Sequence, residues 1–147
     1  MTNKQFEDVR NWKKIRGIGG SEDAPRKDRL QSQYQRFMQE GVEIHDAIVL
    51  DDEDELQDAI GDTIVTLINL ADIAGYKAED CLEKAFNVIN LRKGLTRETG
   101  DFVRYAKLSD KDQEICDAKQ GNPGDQYFLD EMKESLNPDS FKRWKRT

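Results

Sequence analysis

Residues 54–75 of the chain read DELQDAIGDTIVTLINLADIAG. At about 100° per residue, one side of this segment is apolar, formed by Ile60, Ile64, Leu67, Ile68 and Ala71. Three carboxylates lie almost opposite, at Glu55, Asp58 and Asp62. Toward the C-terminal end of the segment, the side that carries the carboxylates becomes apolar, with Val65 and Ile73. A helix that is apolar on nearly all sides is normally buried on nearly all sides. We therefore expect the carboxylates to face a groove or a subunit interface in an oligomer.

The segments around this stretch show helical spacing and no proline. Residues 26–122 lack proline, the residue that most strongly breaks helices, and show no strand-like alternation. We predict helices over residues 5–15, 26–49, 54–75 and 78–91, with Gly75 ending the third. Buried positions are expected on the second helix at Leu30, Tyr34, Phe37, Val42, Ile44 and Ile48. The glycines of residues 17–20 indicate a turn, and residues 51–53 suit a helix cap and a solvated loop. Together these segments predict an all-α fold.

The chain changes character after residue 94. Residues 95–121 are polar with scattered apolar positions, residues 121–124 (GNPG) suit a linker or tight turn, and residues 126–136 suit a short helix. Residues 142–146 (KRWKR) form a basic patch, interpreted as a solvated arm. We predict a core over residues 1–94 and a C-terminal extension of unknown role over residues 95–147.

Composition excludes several classes of function. The 147 residues carry a formal net charge of -7, which disfavours nucleic-acid binding because phosphate neutralisation needs a basic surface. The longest uncharged run, residues 63–71, is less than half of the roughly 20 residues needed to cross a bilayer. We expect no membrane association and a cytoplasmic protein. Cys81 and Cys116 match no metal motif and are expected to be free thiols.

Clustered carboxylates indicate where chemistry could occur. Glu40 and Glu43 share one face of the second predicted helix, and Glu55, Asp58 and Asp62 share one face of the third. Like charges at these spacings destabilise a helix slightly. Because the second and third predicted helices both carry such carboxylates, we expect a cation to compensate their charge. Magnesium suits them because it prefers hard oxygen ligands and bridges carboxylates to substrate phosphates. Mn²⁺ is a possible substitute.

A family resemblance makes these spacings more specific. It rests on Trp12, residues 16–18 (RGI), Gln33, Arg36, residues 39–43 (QEGVE), residues 58–62 (DAIGD), Gly75 and residues 87–94. Over about residues 6–94 the chain resembles the MazG-like nucleotide pyrophosphohydrolases of the all-α nucleoside triphosphate pyrophosphatase group, particularly short bacteriophage forms. A weaker match at residues 100–104 (GDFVR) resembles a segment that follows the core in phage members. The resemblance implies a four-helix-bundle-like core completed by homo-oligomerisation into a dimer or tetramer, acting in the host cytoplasm if the chain is phage-encoded.

The resemblance also implies an activity. Such enzymes cut nucleoside triphosphates between the α and β phosphates with magnesium, using a motif E-x-x-E followed by E-x-x-D. Glu40 and Glu43 match the first half and Asp62 matches the last aspartate, whereas Ala59 stands where the third glutamate is expected. Asp58 or Glu55 is then the candidate replacement ligand. Either Glu43 or Glu40 would serve as the general base.

Other candidate residues concern the substrate. For the phosphate tail we expect Lys84, Asn87 and Arg92, with Lys93 as a further candidate, presented together across an interface. His45 stands two residues beyond Glu43, where the matched motif ends, and lies about 200° around the helix from it. Trp12 and Tyr34 could stack on a base, although core packing is the simpler interpretation.

Two alternatives remain open. The same fold and metals could act on dUTP or on phosphoribosyl-ATP, as in related members of the superfamily. A non-catalytic helical oligomer, serving as a scaffold or regulator, could have kept the fold after losing the carboxylate at Ala59.

Overall fold

The computed structural model describes residues 3–119 and divides into two compact units, Met1–Lys84 and Ala85–Thr147. The helices are α1 Asn3–Arg16, α2 Arg26–Val49, α3 Glu53–Ala74, α4 Ala78–Ile89 and α5 Asp110–Lys119. Two short strands, β1 Gly94–Thr96 and β2 Phe102–Arg104, precede a 3-10 turn at Tyr105–Lys107. The chain is therefore mostly helical over the described residues, as predicted. None of these helices has the length and apolar character needed to span a membrane.

The four predicted helices are confirmed, each within about two residues at either end. The expectation of no strands is wrong for β1 and β2, and the sequence did not predict α5. The predicted linker at residues 121–124, the helix at 126–136 and the basic patch at 142–146 lie outside the described residues. The boundary at residue 94 stays a prediction.

Helices α2 and α3 form an antiparallel hairpin, the most extensive helix pair among the described residues. Near its open end, Arg26 Nη2 donates to the carbonyl oxygen of Ala74 at 3.0 Å. One third of the way along, Gln33 Nε2 donates to the carbonyl oxygen of Thr66 at 3.3 Å. Because the pairing runs toward the short loop at residues 50–52, the second half of α2 lies beside the first half of α3.

Local signals fix the ends of α3. The Asp52 side chain accepts a hydrogen bond from the Glu55 backbone N–H at 3.0 Å, so Asp52 is the N-cap within the segment 51–53 that was predicted to hold a cap and a loop. At the other end Gly75 has φ 89°, and the Tyr76 N–H donates to Ala71 O at 2.9 Å. This left-handed glycine with a six-to-one hydrogen bond is a Schellman ending.

The glycine turn between α1 and α2 seats α1 against the end of α3. Gly19 has φ +96°, and a Cβ there would lie 3.0 Å from Ile73 Cδ1, so both conformation and space favour glycine. Its carbonyl oxygen accepts from Arg29 Nε at 2.7 Å. Lys13 Nζ pairs with Asp72 at 2.9 Å from the α1 side. These contacts hold the turn close to α3.

A second ion pair joins α1 to the first turn of α4. Arg10 Nη1 and Nη2 donate to the two carboxylate oxygens of Glu79 at 2.6 and 2.7 Å, a two-pronged geometry that is among the stronger ionic contacts. The Arg10 side chain is 10% exposed and that of Glu79 is 20% exposed. The guanidinium of Arg10 lowers the pKa of Glu79 from 4.5 to about 2.

This pair predicts a defined pH dependence of stability. Because the Glu79 pKa is lower in the folded state, its contribution is complete above pH 4.5 and is lost as the pH falls toward about 2. Glu79→Gln should therefore cost about 1 kcal/mol at pH 7 and almost nothing near pH 2. Urea denaturation at both pH values measures this, with the exposed Asp80→Asn as the control. Equal costs at the two pH values would contradict the prediction.

The buried side of α3 differs from the one that the sequence predicted. Its buried residues are Ala59, Thr66, Ile68, Asn69 and Ile73. Of the predicted apolar face, Ile60, Ile64 and Leu67 are exposed. The reason is that α3 is apolar on two sides, whereas within residues 3–119 one long helix, α2, packs along it.

Helix α2 shows the same discrepancy. Tyr34, Val42 and Ile48, predicted to be buried, are all more than half exposed. Tyr34 stacks on Phe37 with ring centroids 6.2 Å apart. The buried positions of α2 are instead Gln33, Glu40 and Ala47, spaced by seven residues along the side that faces α3.

The second unit is built around a small hairpin. Strands β1 and β2 pair antiparallel with Leu95 opposite Val103, and α5 packs against β1. Cys116 of α5 is fully buried, with Sγ 3.5 Å from the carbonyl oxygen of Gly94. Neither Cys81 nor Cys116 forms a disulfide, as predicted. The hairpin and α5 thus form a compact structure within this unit.

Candidate functional site

A cavity of about 570 Å³ lies in the first unit between α1, the glycine turn, α2 and α3. Two of the predicted carboxylates, Glu40 from α2 and Asp62 from α3, are part of its wall. Glu40 and Asp62 reach the same cavity because α2 and α3 pair antiparallel and are joined by the single short loop at residues 50–52. Small-molecule sites usually occupy about 300–1,000 Å³, so this volume suits a small ligand.

Glu40 is the buried member of the carboxylate group. It is 7% exposed, while Glu43 and Asp62 are exposed. Burial, the neighbouring Glu43 carboxyl and the charge of Asp62 together raise the pKa of Glu40, with burial as the largest cause. Arg36 acts in the opposite direction through Nη2, which lies 3.7 Å from Glu40 Oε1. Negative charge is therefore concentrated at this end of the cavity and only partly compensated.

Two arginines from α2 also line the cavity. Arg29 is held through its Nε, which donates to the Gly19 carbonyl oxygen. Arg36 is largely exposed and additionally donates from Nη1 to Gln39 Oε1 at 3.2 Å. A cavity that holds carboxylates at one end and two guanidinium groups along one wall can bind an anion together with a cation.

The remaining predicted metal ligands lie elsewhere. Glu55 and Asp58 are exposed on the first half of α3 and do not line the cavity. Ala59, which occupies the position of the missing glutamate, is 1% exposed. The structure therefore brings together Glu40, Glu43 and Asp62, and it leaves the replacement ligand unassigned.

The predicted phosphate-binding residues do not line this cavity. Lys84 is exposed at the end of the first unit, and Asn87, Arg92 and Lys93 belong to the second. Lys93 Nζ pairs with Asp117, lies 4.3 Å from the centroid of the Tyr105 ring, and has a raised pKa because Asp117 accepts its hydrogen bond. Lys93 is thus engaged within its own unit.

Sequence reasoning missed several lining residues. Arg29 and Asn69 were not considered, and Gln33 and Arg36 entered only through the resemblance. A signal was present in each case: Gln33, Arg36 and Glu40 share one side of α2, and Asn69 follows Asp62 by two helical turns within an apolar run. Trp12 also lines the cavity and is 45% exposed, so the interpretation as a core residue is wrong.

Glu40, Glu43 and Asp62 offer the carboxylate oxygens that magnesium prefers as ligands. Within residues 3–119, no three His, Cys, Asp or Glu side chains form a group that could hold a metal ion. Glu40, Glu43 and Asp62 nevertheless supply hard oxygens close enough to perturb one another. Magnesium often uses one or two protein carboxylates, with waters and substrate phosphates completing its coordination. The oxygen donors of Glu40, Glu43 and Asp62 are of the type that magnesium prefers, but they do not form a complete protein site for the ion among the described residues.

Comparison of the chain with known protein families, with curated proteins and with solved structures finds no match. The assignment of a function therefore depends on the geometry of the cavity and on the resemblance described above.

Proposed function

We propose that the chain is a magnesium-dependent nucleoside triphosphate pyrophosphohydrolase of the MazG-like type, which produces a nucleoside monophosphate and pyrophosphate. The supporting observation is that Glu40 and Asp62 meet from two antiparallel helices at the wall of one cavity, with Glu43 beside Glu40. The same cavity holds Arg29 and Arg36, the residue type that best recognises phosphate oxygens.

In this proposal each part of the cavity has a role. Glu40, Glu43 and Asp62 would hold magnesium, with Asp58 or Glu55 as a further ligand, and the ion would neutralise phosphate charge. Either Glu40 or Glu43 takes the proton of the water that attacks the α phosphorus. Arg36 and Arg29, which both line the cavity, would stabilise the negative charge that develops on the departing pyrophosphate. Lys84, Asn87, Arg92 and Lys93 stay candidates for the phosphate tail in an assembled oligomer.

We further propose that the core is a four-helix-bundle-like structure completed by a second copy of the chain. The exposed apolar residues Ile60, Ile64 and Leu67 of α3 support this, because soluble chains seldom leave such a stripe in water. A dimer or tetramer in the cytoplasm, of the host if the gene is viral, is the proposed form.

The substrate assay tests the activity directly. The purified full chain is incubated with magnesium and each ribo- and deoxyribonucleoside triphosphate, dUTP and phosphoribosyl-ATP, and the products are separated. Monophosphate with pyrophosphate is expected from one or more nucleoside triphosphates. Diphosphate with phosphate would contradict the proposed cleavage position, and turnover confined to dUTP or phosphoribosyl-ATP would favour those alternatives.

A non-catalytic oligomeric scaffold is the second candidate. It is favoured by the buried Ala59 at the position of the family glutamate and by the lack of a three-residue metal group within residues 3–119. Complete inertness toward every substrate, together with no magnesium binding by calorimetry, would support this candidate over the enzyme.

A further inference from the structure

The guanidinium of Arg29 is held in the cavity wall by a backbone group. Its Nε donates to the carbonyl oxygen of Gly19 at 2.7 Å, in a part-buried contact between the glycine turn and α2. Within residues 3–119, the Nη groups of Arg29 make no hydrogen bond and no ion pair. The contact therefore fixes one edge of the planar guanidinium and leaves the Nη donors unused by the described part of the chain.

Arg29 differs in this respect from two comparable cations of the first unit. Arg10 and Lys13 are also not exposed, and each pairs with a carboxylate of another helix. Arg29 has a neutral carbonyl oxygen instead. Asp28 lines the same cavity, but it is exposed and forms no ion pair with any residue in the range 3–119. A partly buried guanidinium without a carboxylate partner suits an anionic ligand, and it matches phosphate oxygens in a two-pronged geometry.

The conformation of Gly19 brings its carbonyl oxygen to Arg29. Gly19 has φ +96°, which L side chains rarely adopt, and a Cβ there would lie 3.0 Å from Ile73 Cδ1 and 3.1 Å from Ile73 Cγ1. Ile73 is buried in the packing of α3 and has little room to move. Gly17 also has a positive φ, +66°, but a Cβ there would meet nothing within 4 Å. A side chain at position 19 would therefore displace the turn from α3, whereas one at position 17 would strain only its own backbone.

We infer that Gly19 is a positioning residue, whose carbonyl oxygen orients Arg29 to bind the phosphate tail of the nucleotide. This inference rests on the proposed function, in which Arg29 stabilises the departing pyrophosphate. Gly19 acts only through the guanidinium and not on a reacting atom. Orientation matters because a side chain that is already in place loses less conformational freedom when the phosphate binds.

A double-mutant cycle tests whether Gly19 acts through Arg29. Arg29→Ala and Gly19→Ala are each expected to lower kcat/KM for the preferred nucleoside triphosphate by at least about tenfold. The double variant should lose no more activity than Arg29→Ala alone, because the carbonyl oxygen then has no guanidinium to orient. A merely structural role for Gly19 would instead multiply the two losses.

Gly17→Ala is the matched control for the backbone. It should lower the melting temperature because alanine is strained at a positive φ, while leaving kcat/KM unchanged. If Gly19→Ala fails to fold, it is combined with Ile73→Val, which removes the nearer of the two contacting atoms. Ile73→Val alone then becomes the reference for the cycle.

Lysine substitutions separate orientation from charge. Arg29→Lys keeps the charge but should lower kcat/KM, because one ammonium group cannot bind the Gly19 carbonyl oxygen and still offer phosphate a two-pronged contact. Arg26→Lys should leave kcat/KM unchanged, although Arg26 also donates to a backbone carbonyl oxygen, that of Ala74. Full activity of Arg29→Lys would contradict the inference.

Binding of inorganic pyrophosphate provides a readout that does not need turnover. Calorimetry in magnesium is expected to show a Kd at least about tenfold higher in Arg29→Ala and in Gly19→Ala, with no further rise in the double variant. No pyrophosphate binding by the wild type, an unchanged Kd in Gly19→Ala, or losses that multiply in the double variant would overturn the inference. Multiplied losses in a chain that hydrolyses nucleoside triphosphates would leave the proposed function intact. A catalytically inert chain whose pyrophosphate affinity shows the expected non-additivity would support the inference and contradict the proposed function.

Discussion

Glu40→Gln is expected to reduce nucleoside triphosphate hydrolysis by about a thousandfold while raising the melting temperature of the metal-free protein. The activity falls because the amide is neither a strong magnesium ligand nor a base. The stability rises because an ionised carboxylate at this buried position is held close to Glu43 and Asp62, which is an unfavourable arrangement without a cation. Enzyme sites commonly sacrifice stability in this way.

The pH dependence of this stabilisation has a definite sign. Glu40 has a folded-state pKa above 4.5, so it binds its proton more tightly in the folded protein than in the unfolded one. The contribution of Glu40 to the stability of the wild type is therefore lost as the pH rises through its folded-state pKa, and the advantage of Glu40→Gln is absent at low pH and complete once Glu40 is ionised.

Melting curves in EDTA between pH 4 and pH 8, together with initial rates in magnesium, measure both effects. The exposed Glu83→Gln is the matched control and should alter neither quantity. Retention of more than a tenth of the wild-type rate by Glu40→Gln would remove Glu40 from the proposed machinery.

Ala59→Glu is expected to destabilise the protein by at least about 3 kcal/mol, even though it restores the glutamate of the family motif. Ala59 is 1% exposed on the side of α3 that packs in the core. The longer side chain would be overpacked there, and its charge would be buried without a partner. Urea denaturation in EDTA measures the loss, with the exposed Gln57→Glu on the same helix as the control.

A wild-type denaturation midpoint for Ala59→Glu would show instead that position 59 has room for a carboxylate. Ala59 would then simply replace a glutamate ligand without a change in the packing around it. In that case magnesium should stabilise Ala59→Glu more than it stabilises the wild type. The buried alanine predicts the opposite, and it is the reason why Asp58 and Glu55, both exposed, stay the candidates for the additional ligand.

The helices could be predicted from the sequence because their ends carry strong local signals. Gly75 and Asp52 mark the limits of α3 with a left-handed ending and an N-cap, and the lack of proline in residues 26–122 leaves α2 uninterrupted. The two strands could not be predicted because each has three residues, too few for alternation to be recognised. Their pairing depends on Gly94, where a Cβ would collide with the backbone of β2.

The site was predictable only in part. Spacing identified Glu40 and Asp62, because residue type and helix phase suffice to place two carboxylates on facing helices. The helical phase of the apolar residues could not reveal which side of α3 would pack against α2, because both sides are apolar. In the structure Thr66 and Asn69 are buried, whereas Ile64 and Leu67, which were expected to be buried, are exposed. Only the structure shows that Asn69 is buried and that its Oδ1 has no hydrogen-bond partner among residues 3–119.

The hairpin of α2 and α3 also determines when the cavity can form. Glu40 and Asp62 are separated by one short loop, so their contact is local in sequence, and local contacts form quickly. The chain emerges from the ribosome with its N-terminal part first. The contact between Glu40 and Asp62 can therefore form during synthesis, before α5 has been translated.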